Sequence, residues 1–169
     1  MSVQKLFDKE ENRKLLIDAL QEEKDIQDRE MLEKAIAIAV NAHIGQVDKA
    51  GKAYILHPLR LMMKMDIEEA MIVAVLHDTV EDTNVTIESL RQEGFSENIL
   101  AAVEAVTRKE GEPYVDFIQR IKPNPLATKV KIADLEDNSD LSRLDNPTEK
   151  DLKRNEKYIA ALASLRAKS

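Results

Sequence analysis

Cysteine and tryptophan are both absent from the 169-residue sequence. Without thiols the chain cannot form disulfides, iron–sulfur clusters or thiolate zinc sites. Glycine is scarce at four residues and proline at five, so few positions force a turn. No segment approaches the roughly 20 consecutive apolar residues that a membrane span requires. The opening M-S-V-Q-K-L-F-D-K-E-E lacks the apolar stretch of a signal peptide, and a cytoplasmic location is expected. Surplus positive charge is also missing. The 25 Lys and Arg face 32 Asp and Glu, a net charge of −7, opposite to the field of a general nucleic-acid binder. Neither nucleic acid nor a membrane is therefore an expected partner. A small anionic substrate would need a local patch of Lys and Arg together with a metal ion.

Helix formers dominate what is present: Ala, Leu, Glu and Lys are abundant. With 43% hydrophobic and 34% charged residues, the chain suits one globular domain with a substantial core. There is no internal repeat and no useful strand alternation, so the expected fold is all-α. Residues 1–29 read as one or two amphipathic helices ending near the polar run Gln21–Arg29, an N-terminal helical extension for packing or dimerisation. Met31–His43 follows as a strong helix with Gly45 as its cap. Gln46–Leu56 breaks the helical period at Gly51. Pro58–Met65 is predicted helical with His57 at its mouth, and Ile67–Thr83 as one central helix. Further helices are expected from Thr86 to Gly94, over Glu97–Thr107, from Pro113, over Leu126–Asn138 and from Thr148 to Ala167.

The chemistry gathers at A-V-L-H-D-T-V-E-D, residues 74–82. An apolar run leads straight into His77 and Asp78, and Glu81 and Asp82 follow one helical turn on, each four residues from its counterpart. Ionisable groups beside a core segment are costly to bury unless something compensates them, most economically a cation. Asp134, inside the apolar Leu126–Asn138 helix, makes the same demand, and Asn138 shares its face. His57, His77, Asp78 and Asp134 together form a mixed nitrogen–oxygen donor set. Such a set suits Mn²⁺, Fe²⁺ or Zn²⁺ better than Mg²⁺ or Ca²⁺. His43, taken alone, reads as a structural histidine.

A His-Asp pair within an apolar helix, with a His upstream and a buried Asp downstream, is the pattern of the HD superfamily of metal-dependent phosphohydrolases. The segments A-H-I-G-Q…K-A-G-K-A-Y-I-L-H-P, L-H-D-T-V-E-D-T, A-V-T-R and K-I-A-D-L-E-D-N narrow it. They resemble the hydrolase domain of the RelA/SpoT alarmone enzymes, and in length the chain is similar to the small stand-alone alarmone hydrolases. The resemblance covers roughly residues 30–165, which makes 30–169 the expected HD-type domain, a single helical bundle. It implies one Mn²⁺ per chain on His57, His77, Asp78 and Asp134, with Fe²⁺ or Zn²⁺ as lesser alternatives. It implies Glu81 and Asp82 as the catalytic acidic pair. Asn138, Lys49, Arg154 and Tyr158 fall on substrate-contacting positions, and the nucleotide substrate would be guanosine tetra- or pentaphosphate, losing its 3′-pyrophosphate. Where these enzymes commonly carry Arg-Lys after the A-H-x-G-Q element, this chain has Asp48-Lys49, and an Asp cannot stack on a base as a guanidinium does. Base identity is thereby left open to an adenine analogue or to the 2′-phosphate of NADPH.

Overall fold

The computed structural model describes residues 3–144 and 146–167. Among them there is no strand, only an isolated antiparallel bridge between Val47 and Ala53. In chain order the α-helices are α1 (Val3–Ala42), α2 (Leu56–Met62), α3 (Glu68–Leu76), α4 (Thr79–Asp82), α5 (Ile87–Gln92), α6 (Glu97–Val106), α7 (Tyr114–Ile121), α8 (Pro125–Ser139) and α9 (Glu149–Arg166).

α3 is the axis of the molecule. Ala70 and Ile72–Leu76 are buried, with no stripe left for water, as expected of a helix that is apolar on every side. The C-terminal part of α1, α2, α6 and α8 pack around it, and α8 in turn carries α9. Phe117, Leu61, Leu90, Leu100, Ile121 and Leu135 fill the space between them. No helix is long and apolar enough to cross a membrane.

Local signals place the helix ends. Thr86 and Thr148 each close a capping box, with Ser89 and Asp151 respectively, satisfying backbone donors that a helix start leaves unpaired. Ser96 and Asn124 cap α6 and α8 in the simpler way. Gly45 takes φ 80°, a left-handed conformation that turns the chain out of α1 and into the 46–55 loop.

Two expectations are revised. The polar run Gln21–Arg29 does not end a helix, because α1 continues through it for 40 residues. The run holds neither Gly nor Pro, and Gln21 donates to Asp25 at 2.7 Å while Arg29 Nε donates to the Asp25 carbonyl at 3.1 Å, both spanning one turn. The central segment is also not one helix. It is interrupted at His77 and Asp78, which separate α3 from α4, although Asp82 N still reaches the Asp78 carbonyl at 2.9 Å. A smaller shift concerns α2, which begins at Leu56 and so takes His57 into its first turn.

Candidate metal and substrate site

Three elements bring the predicted ligands together: α2 supplies His57, the α3–α4 junction supplies His77 and Asp78, and α8 supplies Asp134. Donor atoms of His57, His77 and Asp78 all lie within 4.8 Å of one another. His57 Nε2 is 3.1 Å from Asp134 Oδ1 and 3.8 Å from Asp78 Oδ2. His77 Nε2 is 2.9 Å from Asp78 Oδ2 and 3.7 Å from Asp134 Oδ1.

The tautomer of His77 shows what this arrangement lacks. Its Nδ1 sits 2.8 Å from the Ala74 carbonyl, an acceptor only, so Nδ1 carries the proton. In the neutral ring Nε2 is then a bare lone pair, fully buried, without a hydrogen-bond partner, and aimed at carboxylate oxygens. A cation resolves that conflict. In its absence a proton does so: burial pushes the His77 pKa down, but Asp78 and Asp134 outweigh it and carry the value up to about 10. Burial raises Asp78, and His77 reverses this, taking it to about 2. Asp134, raised by burial, is drawn well below the usual carboxylate range by Lys131, His57 and His77. The donor set therefore fits a divalent ion.

Partners outside the quartet fix its orientation. His57 Nδ1 lies 2.7 Å from Asp137 Oδ2, and Arg60 grips that carboxylate through both Nε (3.1 Å) and Nη2 (2.9 Å). Nε2 is thus turned toward the centre of the site, the arrangement by which metal-binding imidazoles are usually oriented. The Tyr54 hydroxyl donates to Asp78 Oδ2. Asp134 divides its oxygens: Oδ2 accepts from Lys131 Nζ at 2.6 Å, and Oδ1 accepts from Asn138 Nδ2 at 2.6 Å. Sequence reasoning gave no specific role to Lys131, Tyr54, Arg60 or Asp137. Arg60 stands three residues from His57 on α2, and Asp137 three from Asp134 on α8. That spacing is the one signal that pointed to them.

Around the quartet the remaining predicted residues separate. Glu81 Oε2 accepts the Arg108 backbone N–H at 2.9 Å, tying α4 to the loop after α6. Asp82 neighbours the same charges, and its pKa is raised by partial burial and then by Asp78 and Glu81. Lys49, Asn138 and Arg154 line one cleft with Tyr54 and His57, about 280 Å³ in volume. Burial and the nearby Arg154 lower the Lys49 pKa, and Arg154 is ion-paired to Asp151. Tyr158 does not line that cleft; it packs half-buried against the core. Asp48 stands at the cleft edge, its Oδ1 accepting from the backbone of Ala50 and Lys52, both at 2.9 Å.

An all-α domain that folds two histidines and two aspartates onto one point has the architecture of an HD-type phosphohydrolase, and comparison with known proteins agrees. No protein-family model matches the chain. It is 34% identical over 125 residues to the guanosine-3′,5′-bis(diphosphate) 3′-pyrophosphohydrolase of Aquifex aeolicus, covering 66% of this chain and 18% of that protein. A protein of the same name from Borreliella burgdorferi is 38% identical over 89 residues, covering 50% of the chain and 13% of the relative. A probable GTP pyrophosphokinase of Mycobacterium leprae is 30% identical over 149 residues, 80% of the chain and 19% of the relative. The chain thus spans under a fifth of the length of these relatives. Among solved structures, one described as a metazoan orthologue of SpoT that hydrolyses ppGpp superposes with a TM-score of 0.68 at 20% identity, covering 81% of this chain and 86% of that one. The chain is an HD-domain, RelA/SpoT hydrolase-like protein.

Proposed function

We propose that the protein is a metal-dependent phosphohydrolase that removes the 3′-pyrophosphate of guanosine tetra- or pentaphosphate, releasing pyrophosphate with GDP or GTP. The observation that carries this reading is the buried, unpartnered Nε2 of His77 facing the carboxylates of Asp78 and Asp134. The names of the Aquifex and Borreliella relatives supply the substrate.

His57, His77, Asp78 and Asp134 would hold one divalent ion, for which the nitrogen–oxygen donor set favours Mn²⁺ over Mg²⁺. When bound, such an ion polarises phosphoryl oxygens and acidifies water. The chain's own residues do the rest. Asp137 and Arg60 keep the His57 lone pair directed inward. Glu81 and Asp82 take the proton from the attacking water, and the raised pKa of Asp82 suits a group that must also return one. Lys49 and Arg154 neutralise phosphate charge in the cleft beside Asn138, which donates to a ribose or phosphate oxygen. Tyr158, four residues beyond Arg154 on α9, backs that side.

A second reading, the same chemistry on an adenine alarmone or on the 2′-phosphate of NADPH, is favoured by Asp48, which leaves the cleft edge without a stacking guanidinium. One assay separates the two. Hyperphosphorylated guanosine and adenosine nucleotides and NADPH are incubated with the protein, with Mn²⁺ and with chelator. Metal-dependent release of pyrophosphate from the guanosine compounds supports the first reading. Turnover of only the adenine compounds, seen as pyrophosphate from the adenosine nucleotides or orthophosphate from NADPH, supports the second, and release of neither from any of them removes both.

A further inference from the structure

The stretch of α1 from residue 10 to residue 27 packs on nothing. Every residue from 10 to 27 is exposed, and the helix meets the domain only further on, where Ala35 and Ala39 are fully buried. A 40-residue helix is about 60 Å long, and the exposed stretch from residue 10 to residue 27 accounts for about 27 Å of it. A lone helix in water is marginal, and this one is not polar all round. Leu15, Leu16, Ile17 and Leu20 are 62, 60, 55 and 55% exposed, and Ile26 is 44% exposed. Leu15, Leu16, Ala19, Leu20 and Ile26 fall within about 140° of the helix circumference, an apolar strip over residues 15–20 that Ile26 continues beyond Glu23.

The charges on either side of this strip differ. In residues 5–14 there are four cations (Lys5, Lys9, Arg13, Lys14) against three anions (Asp8, Glu10, Glu11), a net of +1. In residues 18–30 there are two cations (Lys24, Arg29) against six anions (Asp18, Glu22, Glu23, Asp25, Asp28, Glu30), a net of −4. A parallel pair of such helices would set the acidic half against itself. An antiparallel pair sets the basic half of each helix against the acidic half of the other.

We infer that the free part of α1 is a self-association surface whose occupant is α1 of a second copy, lying antiparallel. With the two-fold axis near Asp18, Leu16 of one copy faces Leu20 of the other, and Arg13 and Lys14 come level with Glu23 and Glu22. The same patch thus serves both partners, as an isologous dimer requires. A contact made by one helix pair is at the small end of specific interfaces, so association is weak and concentration-dependent. The inference does not depend on the reaction the domain catalyses.

Sedimentation of the full chain from about 1 to 100 µM tests it, a range matched to weak association. The wild type moves from the 19.1 kDa chain mass toward twice that value. Leu16→Glu with Leu20→Glu remains at chain mass, and its thermal unfolding shows the domain still folded. Arg13→Glu with Lys14→Glu raises the dissociation constant roughly tenfold, and adding Glu22→Lys and Glu23→Lys restores it, a rescue that a helix merely disordered by mutation does not give. Because the chain has no cysteine, orientation is read by crosslinking: Arg13→Cys mixed with Glu23→Cys forms a disulfide, whereas neither alone does so efficiently. A wild type that stays monomeric throughout the range, whether or not another protein binds the helix, overturns the inference. So do efficient disulfides in each single variant, which would mean a parallel pair.

Discussion

His57 and Asp137 are 80 residues apart in the chain, yet Nδ1 of one lies 2.7 Å from Oδ2 of the other, with Arg60 holding the carboxylate in place through two contacts. Asp137 therefore decides which imidazole nitrogen faces the site. Asp137→Asn is expected to weaken divalent-ion binding about 10- to 100-fold, measured by titration of Mn²⁺ with calorimetric detection, with the thermal transition retained. Affinity equal to wild type would show that the His57 ring is oriented by something else.

Glu81 is bonded to the Arg108 backbone rather than to any of the four proposed ligands, so its role separates from theirs. Glu81→Gln keeps the size of the side chain and leaves an acceptor for the Arg108 N–H. The expected result is unchanged metal content with turnover reduced about 10²–10⁴-fold. Loss of bound metal in parallel with activity would place Glu81 among the ligands or their supports.

The site's pH behaviour follows from His77. In the metal-free protein its pKa is about 10, above the ordinary 6.5 of an unfolded histidine. The stabilisation this gives is complete below pH 6.5 and is lost as pH rises through about 10. Metal-free protein should therefore lose stability between pH 7 and 10, seen as a falling urea midpoint, and His77→Gln should flatten that slope. Adding a divalent ion at pH 7 to 8 should release at least one proton per site, read from calorimetric titrations in buffers of different ionisation heat. A metal-binding enthalpy independent of buffer would contradict this.

Asp48 bears on base preference. Asp48→Arg restores a group able to stack on a base, an interaction of about 0.5–2 kcal/mol. It should raise kcat/KM for a guanosine substrate relative to its adenosine counterpart by roughly 2- to 30-fold. Because Asp48 also anchors its own loop through Ala50 and Lys52, Asp48→Asn, which keeps an acceptor oxygen, is the control for loop disturbance. An identical change in both variants would assign the effect to the loop.

Three of the quartet were legible because they break an apolar pattern, Asp134 interrupting Val130, Ile132, Ala133 and Leu135, and His77-Asp78 ending a run that is wholly buried in the fold, while His57 was marked by the Pro58 that follows it. The helix starts were legible for a similar local reason, since Thr86, Ser96, Asn124 and Thr148 are capping residues within three positions of their acceptors' targets. The interruption at His77 and Asp78 had no such mark, because both residues keep right-handed φ and ψ. Asp137 was hidden in E-D-N, a stretch that reads as solvated, because its partners are 77 and 80 residues away. The continuity of α1 was missed because a polar run resembles a helix end when nothing shows that the residues bond along the turn.

The residues of the proposed site also differ in what they are mounted on. His77 follows directly from the buried run Ile72–Leu76 of α3, and Asp134 belongs to α8, which packs on it. Lys49 and Asp48 belong instead to the exposed 46–55 loop, and Arg154 to the second turn of α9, just beyond a helix start that is largely open to water. Amide hydrogens of Ile72–Leu76 should exchange with deuterium only when the whole domain opens, while those of the loop exchange far sooner. The floor of the cleft would then stay assembled while its rim breathes, letting a nucleotide enter and leave without ever dismantling the four side chains proposed to hold the ion.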